Sequence, residues 1–476
     1  MNASIRHTEF PRAGWTKSNA EVCPRFPEKR GLSLFLRCLP ALFTAIGAML
    51  PAIAVAQVPK VAPITIVINQ SPWFAGFSKT VEAYEKETGN KVTLDVNPFA
   101  GSAEKQRNSV RAKDGQFDLL TMNALWLAEF YHGGFLAPLN DIDPSYKPDP
   151  QVFTYDDTGY WDAKTKTNNA KTGVPYGIPI NGNIGVLYYR ADLYERAGLK
   201  VPQTWDELAA NAAKLHNPPA VYGFVPRGAR SASDISYDWM PYLHSYNGAI
   251  FKDEKAGDFT VTINSPEGKK ALDIYVQMAT KSGPPNPGSY GQAQVITALV
   301  TGKAAHATPV IAAWPQMDDA TKSAVVGKMN VAPLPHGPGA KSTPTLGHFI
   351  GDIPKNISKE RQVAALTFMK WFSSLHGQTI YAQTGQPPIR RDVYDLPFMK
   401  TPEFRWAKAV AESSPNARMM YTVPEGPQIV SILELRLNQA VIGEKTTADA
   451  LNTMAAEIAD LMKKAGYKTG QLPDLK

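Results

Sequence analysis

One stretch, Ile64 to Val96, commits the chain to a sheet of parallel strands. Ile64 to Ile68 reads ITIVI, a continuous β-branched run of the kind that is buried on both faces. Asn69-Gln70-Ser71-Pro72-Trp73 ends it, and a helix follows with Phe77, Val81 and Tyr84 at helical spacing, closing at Gly89. Lys91 to Val96 (KVTLDV) then returns as a strand. Two strands joined by so short a crossover pair in parallel, which implies an α/β lobe.

A second stretch, Gly173 to Leu215, organises the middle of the chain. Val174 to Pro179 cannot be helical, because its prolines and glycine hold the backbone extended or turned. Ile184 to Arg190 (IGVLYYR) has the composition of a buried strand. Thr204 and Glu207 form a capping box that opens the helix of Leu208, Ala212 and Leu215. Elsewhere, Asp118 to Met122 (DLLTM) is a strand, and Asn123 to His132 a helix ending at Gly133-Gly134. Asp141 to Lys171 is long and polar, with Tyr155, Tyr160 and Trp161 as an aromatic island, and is expected to pack on the surface. Ser265-Pro266-Glu267 and Ser358 start further helices, and Ile429 to Ile442 and Ala448 to Met462 are terminal ones.

The N-terminus is of another character. Lys29, Arg30 and Arg37 precede the apolar run Cys38 to Val55, and Ala54-Val55-Ala56 is a small-x-small site followed by Gln57. This is the pattern of a cleaved secretory signal peptide over residues 1–56. The net charge is +7, but seven Lys/Arg against three Asp/Glu in the first 56 residues carry +4 of it. The remaining +3 gives no ground for a nucleic-acid partner. Both cysteines, Cys23 and Cys38, fall in the leader, so a thiol nucleophile, a disulfide or a zinc–thiolate site is excluded after it.

Other catalytic signatures are also missing. No two of the histidines at 132, 216, 244, 306, 336, 348 and 376 are three or four residues apart. There is no phosphate-binding loop, no dinucleotide fingerprint and no Gly-x-Ser-x-Gly elbow. Asp156-Asp157 and Asp318-Asp319 are carboxylate pairs that a glycan-cleaving enzyme could use, although adjacent acids in turn-like sequence are usually solvated. No metal or cofactor is expected.

Several segments, in order, resemble family 1 extracellular solute-binding proteins, the maltose-binding-protein-like receptors of ABC sugar importers. They are FDLL before EFY and GFLAPL, YGIP before LYYRADLYERAGL and TWDELA, GKAA before Trp314, and FMKWFSS before YAQTGQPPIRRDVY. The resemblance implies the two-lobed type II periplasmic binding protein fold, with discontinuous α/β lobes joined by hinge strands. Its expected division is 57–172 and 304–350 in the first lobe, with 173–303 and 351–476 in the second. It further implies a periplasmic monomer that binds a sugar, oligosaccharide or polyol and delivers it to an inner-membrane ABC permease.

Candidate ligand contacts sit just past strand ends, where open sheets place ligands. These are Asn69 and Trp73 after the first strand, and Asn123 and Trp126 after Asp118–Met122. Asn183 precedes Ile184–Arg190, where the resemblance puts a pocket acid, and its amide suits a neutral hydroxylated ligand. Trp314, Gly347 and His348 match pocket segments of the family, and Tyr237 and Arg230 belong to a polar-aromatic cluster with Arg227. Arg227 or Arg230 would instead favour an anionic ligand, a glycerol phosphate or a uronate, if they face the cleft. Tyr188 and Tyr189 are not an iron-binding pair, because neighbours on a strand point to opposite faces.

Overall fold

The computed structural model describes residues 58–231 and 233–476, so the expected leader lies outside the described residues. Ile64–Asn69 and Val92–Asn97 pair in parallel, Ile64 opposite Val92 through Asn69 opposite Asn97. The helix between them, Phe74–Thr88, ends at Gly89, which takes the left-handed conformation at φ 68°. Leu119–Asn123 adds in parallel on the other side of the first strand. Phe349–Asp352 and Gly177–Pro179 then add in antiparallel fashion, giving the strand order 92–97, 64–69, 119–123, 349–352, 177–179. The first strand therefore has its successors on opposite sides. Its carboxyl end and that of Leu119–Asn123 flank a topological switch point, which places Asn69 and Asn123 beside one crevice.

The second lobe is built differently. Leu187–Arg190 is the centre of an antiparallel sheet between His306–Ala307 and Met329–Ala332. Helices Asp234–Ser245, Pro266–Lys281, Gly426–Val441 and Thr447–Lys464 pack beside it on a core in which Trp205 stacks on Tyr242 at 3.6 Å. The capping box at Thr204 is present, the Glu207 N–H donating to the Thr204 hydroxyl at 3.2 Å. On the central strand Tyr188 faces one core and Leu187 and Tyr189 the other, as strand alternation requires.

These pairings move two of the expected lobe boundaries. The segment from 304 does not rejoin the first sheet; His306–Ala307 and Met329–Ala332 build the second lobe's sheet, and the chain returns only at Phe349–Asp352. Nor does 351 begin a return to the second lobe. The helix Lys359–Phe372 sets Phe372 5.3 Å from Phe77 in the first core, and the second core is resumed only from Met420. The aromatic island is not a surface feature either, since Tyr155 and Trp161 are buried in the first core.

Three segments cross between the lobes side by side. Ile184 pairs with Leu346, and Thr345 pairs with Arg418. The Leu346 N–H donates to the Arg418 carbonyl at 2.9 Å, and the Gly347 N–H to the Asn183 carbonyl at 3.0 Å. The Asn183 side chain completes the junction. Its Nδ2 donates to the Gly347 carbonyl at 3.0 Å and its Oδ1 accepts from the Ala312 N–H at 3.1 Å. Asn183→Ala leaves both backbone groups without partners, at about 1–3 kcal/mol each. Chemical denaturation of this variant is expected to show stability lower by about 2–4 kcal/mol; an unchanged midpoint would show that the amide is not holding the crossing.

Candidate functional site

A cleft of about 390 Å³ opens between the lobes beside these crossing segments. The first lobe contributes Asn69 at the end of its first strand with Ser71 and Trp73 beyond it, Phe99 after its second, and Asn123 at the end of its third. The second lobe contributes Arg227, Ser233, Asp234 and Tyr237 around the start of the helix Asp234–Ser245. It also presents Gly291 to Gln294 at the start of the helix Gln292–Val300. Val310, Leu346, Gly347 and Phe349 close the floor.

The first-lobe wall combines aromatic faces with unused polar atoms. Trp73 packs on Phe349 at 4.9 Å and edge-on to Phe77 at 5.5 Å. Its Nε1, the Oδ1 of Asn69 and the Oγ of Ser71 are all buried with no hydrogen-bond partner among the described residues. Asn123 caps the following turn, its Oδ1 accepting from the Leu125 N–H at 3.1 Å.

The opposite wall is an ion pair. Arg227 places Nη2 2.7 Å and Nε 2.9 Å from Asp234 Oδ1, and both side chains are buried. The same oxygen accepts the Gln292 N–H at 2.9 Å. The guanidinium lies 4.6 Å above the Tyr237 ring, and its Nη1 has no partner among the described residues. The Tyr237 hydroxyl is committed to the Thr345 carbonyl at 3.0 Å. A Cβ at Gly347 would stand 3.0 Å from that hydroxyl, a tight approach.

Of the residues singled out in the sequence, Asn69, Trp73, Asn123, Asn183, Tyr237 and Gly347 line the cleft. Asn183 does so with its amide already spent on backbone, so the reasoning that matched that amide to a ligand does not hold. Four others stand elsewhere. Trp126 packs on Phe99 at 4.8 Å, one layer behind the wall. Trp314 is sandwiched between Tyr188 at 5.9 Å and the Arg405 guanidinium at 4.4 Å. His348 points to the far side of its strand, where it stacks on Tyr155 at 5.0 Å and meets the Thr158 hydroxyl at 2.8 Å; burial holds its pKa down at about 3. Arg230 is exposed and does not reach the lining.

The aspartate pairs are engaged away from the cleft. Asp156 accepts from the Met419 N–H at 3.1 Å and Asp157 from the Ala170 N–H at 3.0 Å. Asp318 meets Arg405 at 2.8 Å and Asp319 holds Thr321. Sequence reasoning missed Phe99, Ser71 and Asp234. The strand-end rule applies to Phe99 and Ser71 as it does to Asn69; Asp234 carries no comparable local signal. Among the described residues no group of three or more His, Cys, Asp or Glu is placed to hold a metal ion, and no helix is long and apolar enough to cross a membrane.

A family model described as bacterial extracellular solute-binding protein matches residues 69–379. A mannitol-binding protein of Pseudomonas aeruginosa is 27% identical over 390 residues, covering 76% of this chain and 84% of that one. Among solved structures, a solute-binding protein from Agrobacterium radiobacter in complex with ribitol superposes with a TM-score of 0.70 at 25% identity, over 84% of this chain and 99% of that one. Maltose-bound MalE3 of T. maritima gives the same TM-score of 0.70 and 25% identity, over 84% of this chain and all of its own.

Behind the ion-pair wall lies Glu434. Burial pushes its carboxyl up from 4.5 to about 7, the Asp234 charge adding to the shift while the Ser233 and Asp234 amides and Arg227 oppose it. An acid whose pKa is raised by folding costs stability only when ionised, so the cost grows as pH rises from 4.5 to about 7. Glu434→Gln keeps the shape of the side chain and removes the charge. Its melting temperature is expected to exceed the wild type's above pH 7, with the gap closing toward pH 4.5. A gap that is constant or widens toward acid would contradict this assignment.

Proposed function

The chain belongs to the bacterial extracellular solute-binding protein family, and from that we propose that it is the receptor of an ABC importer for a sugar or polyol held in the inter-lobe cleft. The observation that carries this reading is the set of buried, unpartnered polar atoms on both walls. Asn69 Oδ1, Ser71 Oγ and Trp73 Nε1 stand on one side and Arg227 Nη1 on the other. A buried polar group without a partner costs about 1–3 kcal/mol. A polyhydroxylated molecule satisfies donors and acceptors alike, and its C–H faces pack on Trp73, Phe99 and Phe349. The relatives named for mannitol, ribitol and maltose support the same ligand class.

Hinge closure follows from the architecture. A ligand touching both walls has higher affinity for the closed arrangement and stabilises it by that difference. The closed form then docks on an inner-membrane ABC permease and delivers the solute to it. Export through a cleaved leader over residues 1–56, periplasmic residence and a monomeric state complete the proposal. The family consists of binding proteins rather than enzymes, and the engagement of Asp156 and Asp318 in structural contacts agrees with a non-catalytic role.

A thermal-shift screen of the purified protein against sugars and polyols tests it. A ligand at a hundred times its Kd adds about 2.7 kcal/mol to stability, so a true ligand raises the melting temperature. Asn69→Ala is then expected to weaken that ligand roughly tenfold by calorimetry, the worth of about one hydrogen bond. Failure of every sugar and polyol to raise the melting temperature would rule out this ligand class.

A further inference from the structure

Arg227 and Asp234 are the only charged side chains among the described residues that line the cleft, and they are bound to each other. We infer that this pair selects the charge class of the solute: the receptor takes a neutral polyhydroxylated molecule and rejects its carboxylate- or phosphate-bearing counterpart. The inference rests on the solute-binding reading above and sharpens it.

An arginine holds an anion through two parallel N–H groups. Here Nε and Nη2 both point at Asp234 Oδ1, and the Tyr237 ring covers the guanidinium face at 4.6 Å. Nη1 is left as a single donor without a protein partner among the described residues. Asp234 already occupies the Nε/Nη2 edge, so an incoming anion meets a guanidinium whose charge is paired with a carboxylate. A neutral hydroxyl has the opposite fit, since it accepts from Nη1 without bringing a second negative charge to Asp234.

The pair is also held in place. Asp234 Oδ1 takes the Gln292 N–H at 2.9 Å, and Gly291 allows this approach, since a Cβ there would stand 2.7 Å from Oδ2. Among the described residues, two more carboxyls and no further cation stand close to the pair. Asp238 accepts the Arg227 backbone N–H at 2.9 Å, and Glu434 is near enough for the Asp234 charge to raise its carboxyl. No lysine lines the cleft among the described residues.

The test is calorimetric titration of the purified protein with matched pairs: D-mannitol and D-mannonate, D-glucose and D-glucuronate, glycerol and sn-glycerol 3-phosphate. For whichever neutral compound binds, its anionic partner is expected to bind the wild type at least a hundredfold more weakly. Asp234→Asn, which keeps the shape and removes the charge, is expected to narrow that ratio to within tenfold. An anion binding the wild type within tenfold of its neutral partner overturns the inference and leaves a solute receptor standing. Asp234→Asn weakening both members of a pair equally overturns it too. The wild-type ratio decides alone if the variant does not fold. A wild type that binds no neutral compound and no anion overturns the sugar-receptor reading itself.

Discussion

A band of backbone hydrogen bonds carries the chain from one lobe to the other, and the cleft depends on that band. Residues 180–186, 344–349 and 417–421 run side by side, and the Asn183 amide ties the second of them to the turn at Ala312. A side chain that donates to one buried carbonyl and accepts from one buried N–H fixes where three chain passages lie relative to each other. A change in a few dihedral angles where these segments cross can reorient one lobe against the other. The junction also forms the cleft floor, so holding the lobes together and shaping the ligand site are one structural task.

The two walls face that floor with different chemistry. On the first lobe, strand ends deliver aromatic rings and unpartnered polar atoms; on the second, a salt bridge is buried among helix starts. Burying an ion pair seldom stabilises a fold, because desolvation offsets the Coulomb gain. Its presence at a ligand site is better understood as arrangement: it holds a donor and an acceptor at fixed positions without leaving net charge. Glu434 behind it illustrates the cost of burying a carboxylate here, since burial, with the Asp234 charge adding to it, pushes its carboxyl up to about 7.

Much of the fold was legible because local rules and global structure agree. The run Ile64–Ile68, the Gly89 helix end and the Thr204–Glu207 box are each decided within a few residues, and each has the expected form. The lobe boundaries were not legible in this way. Whether His306–Ala307 joins one sheet or the other depends on pairing with Leu187–Arg190, more than a hundred residues earlier, and a two-residue strand carries no address. Tyr155 and Trp161 were similarly misjudged, because the polar sequence around them hides how deeply their rings are buried.

Within the cleft, the useful distinction lies between side chains that are near a ligand and side chains that have hydrogen bonds left to give. Asn69 and Asn183 look alike in sequence and both line the cavity. Asn69 keeps an unpartnered Oδ1, whereas Asn183 has spent donor and acceptor on backbone. Arg227 and Arg230 divide along a different line. Both were plausible anion binders from composition, yet one is exposed outside the site and the other is neutralised by an aspartate seven residues on. A residue's chemistry at a strand end or helix start is set by what its neighbours already consume, and that accounting becomes possible only once the chain has folded back on itself. In this cleft it leaves a short set of unused groups of both kinds, donors and acceptors, with no net charge between them. Such a set matches hydroxyls far better than it matches carboxylates or phosphates.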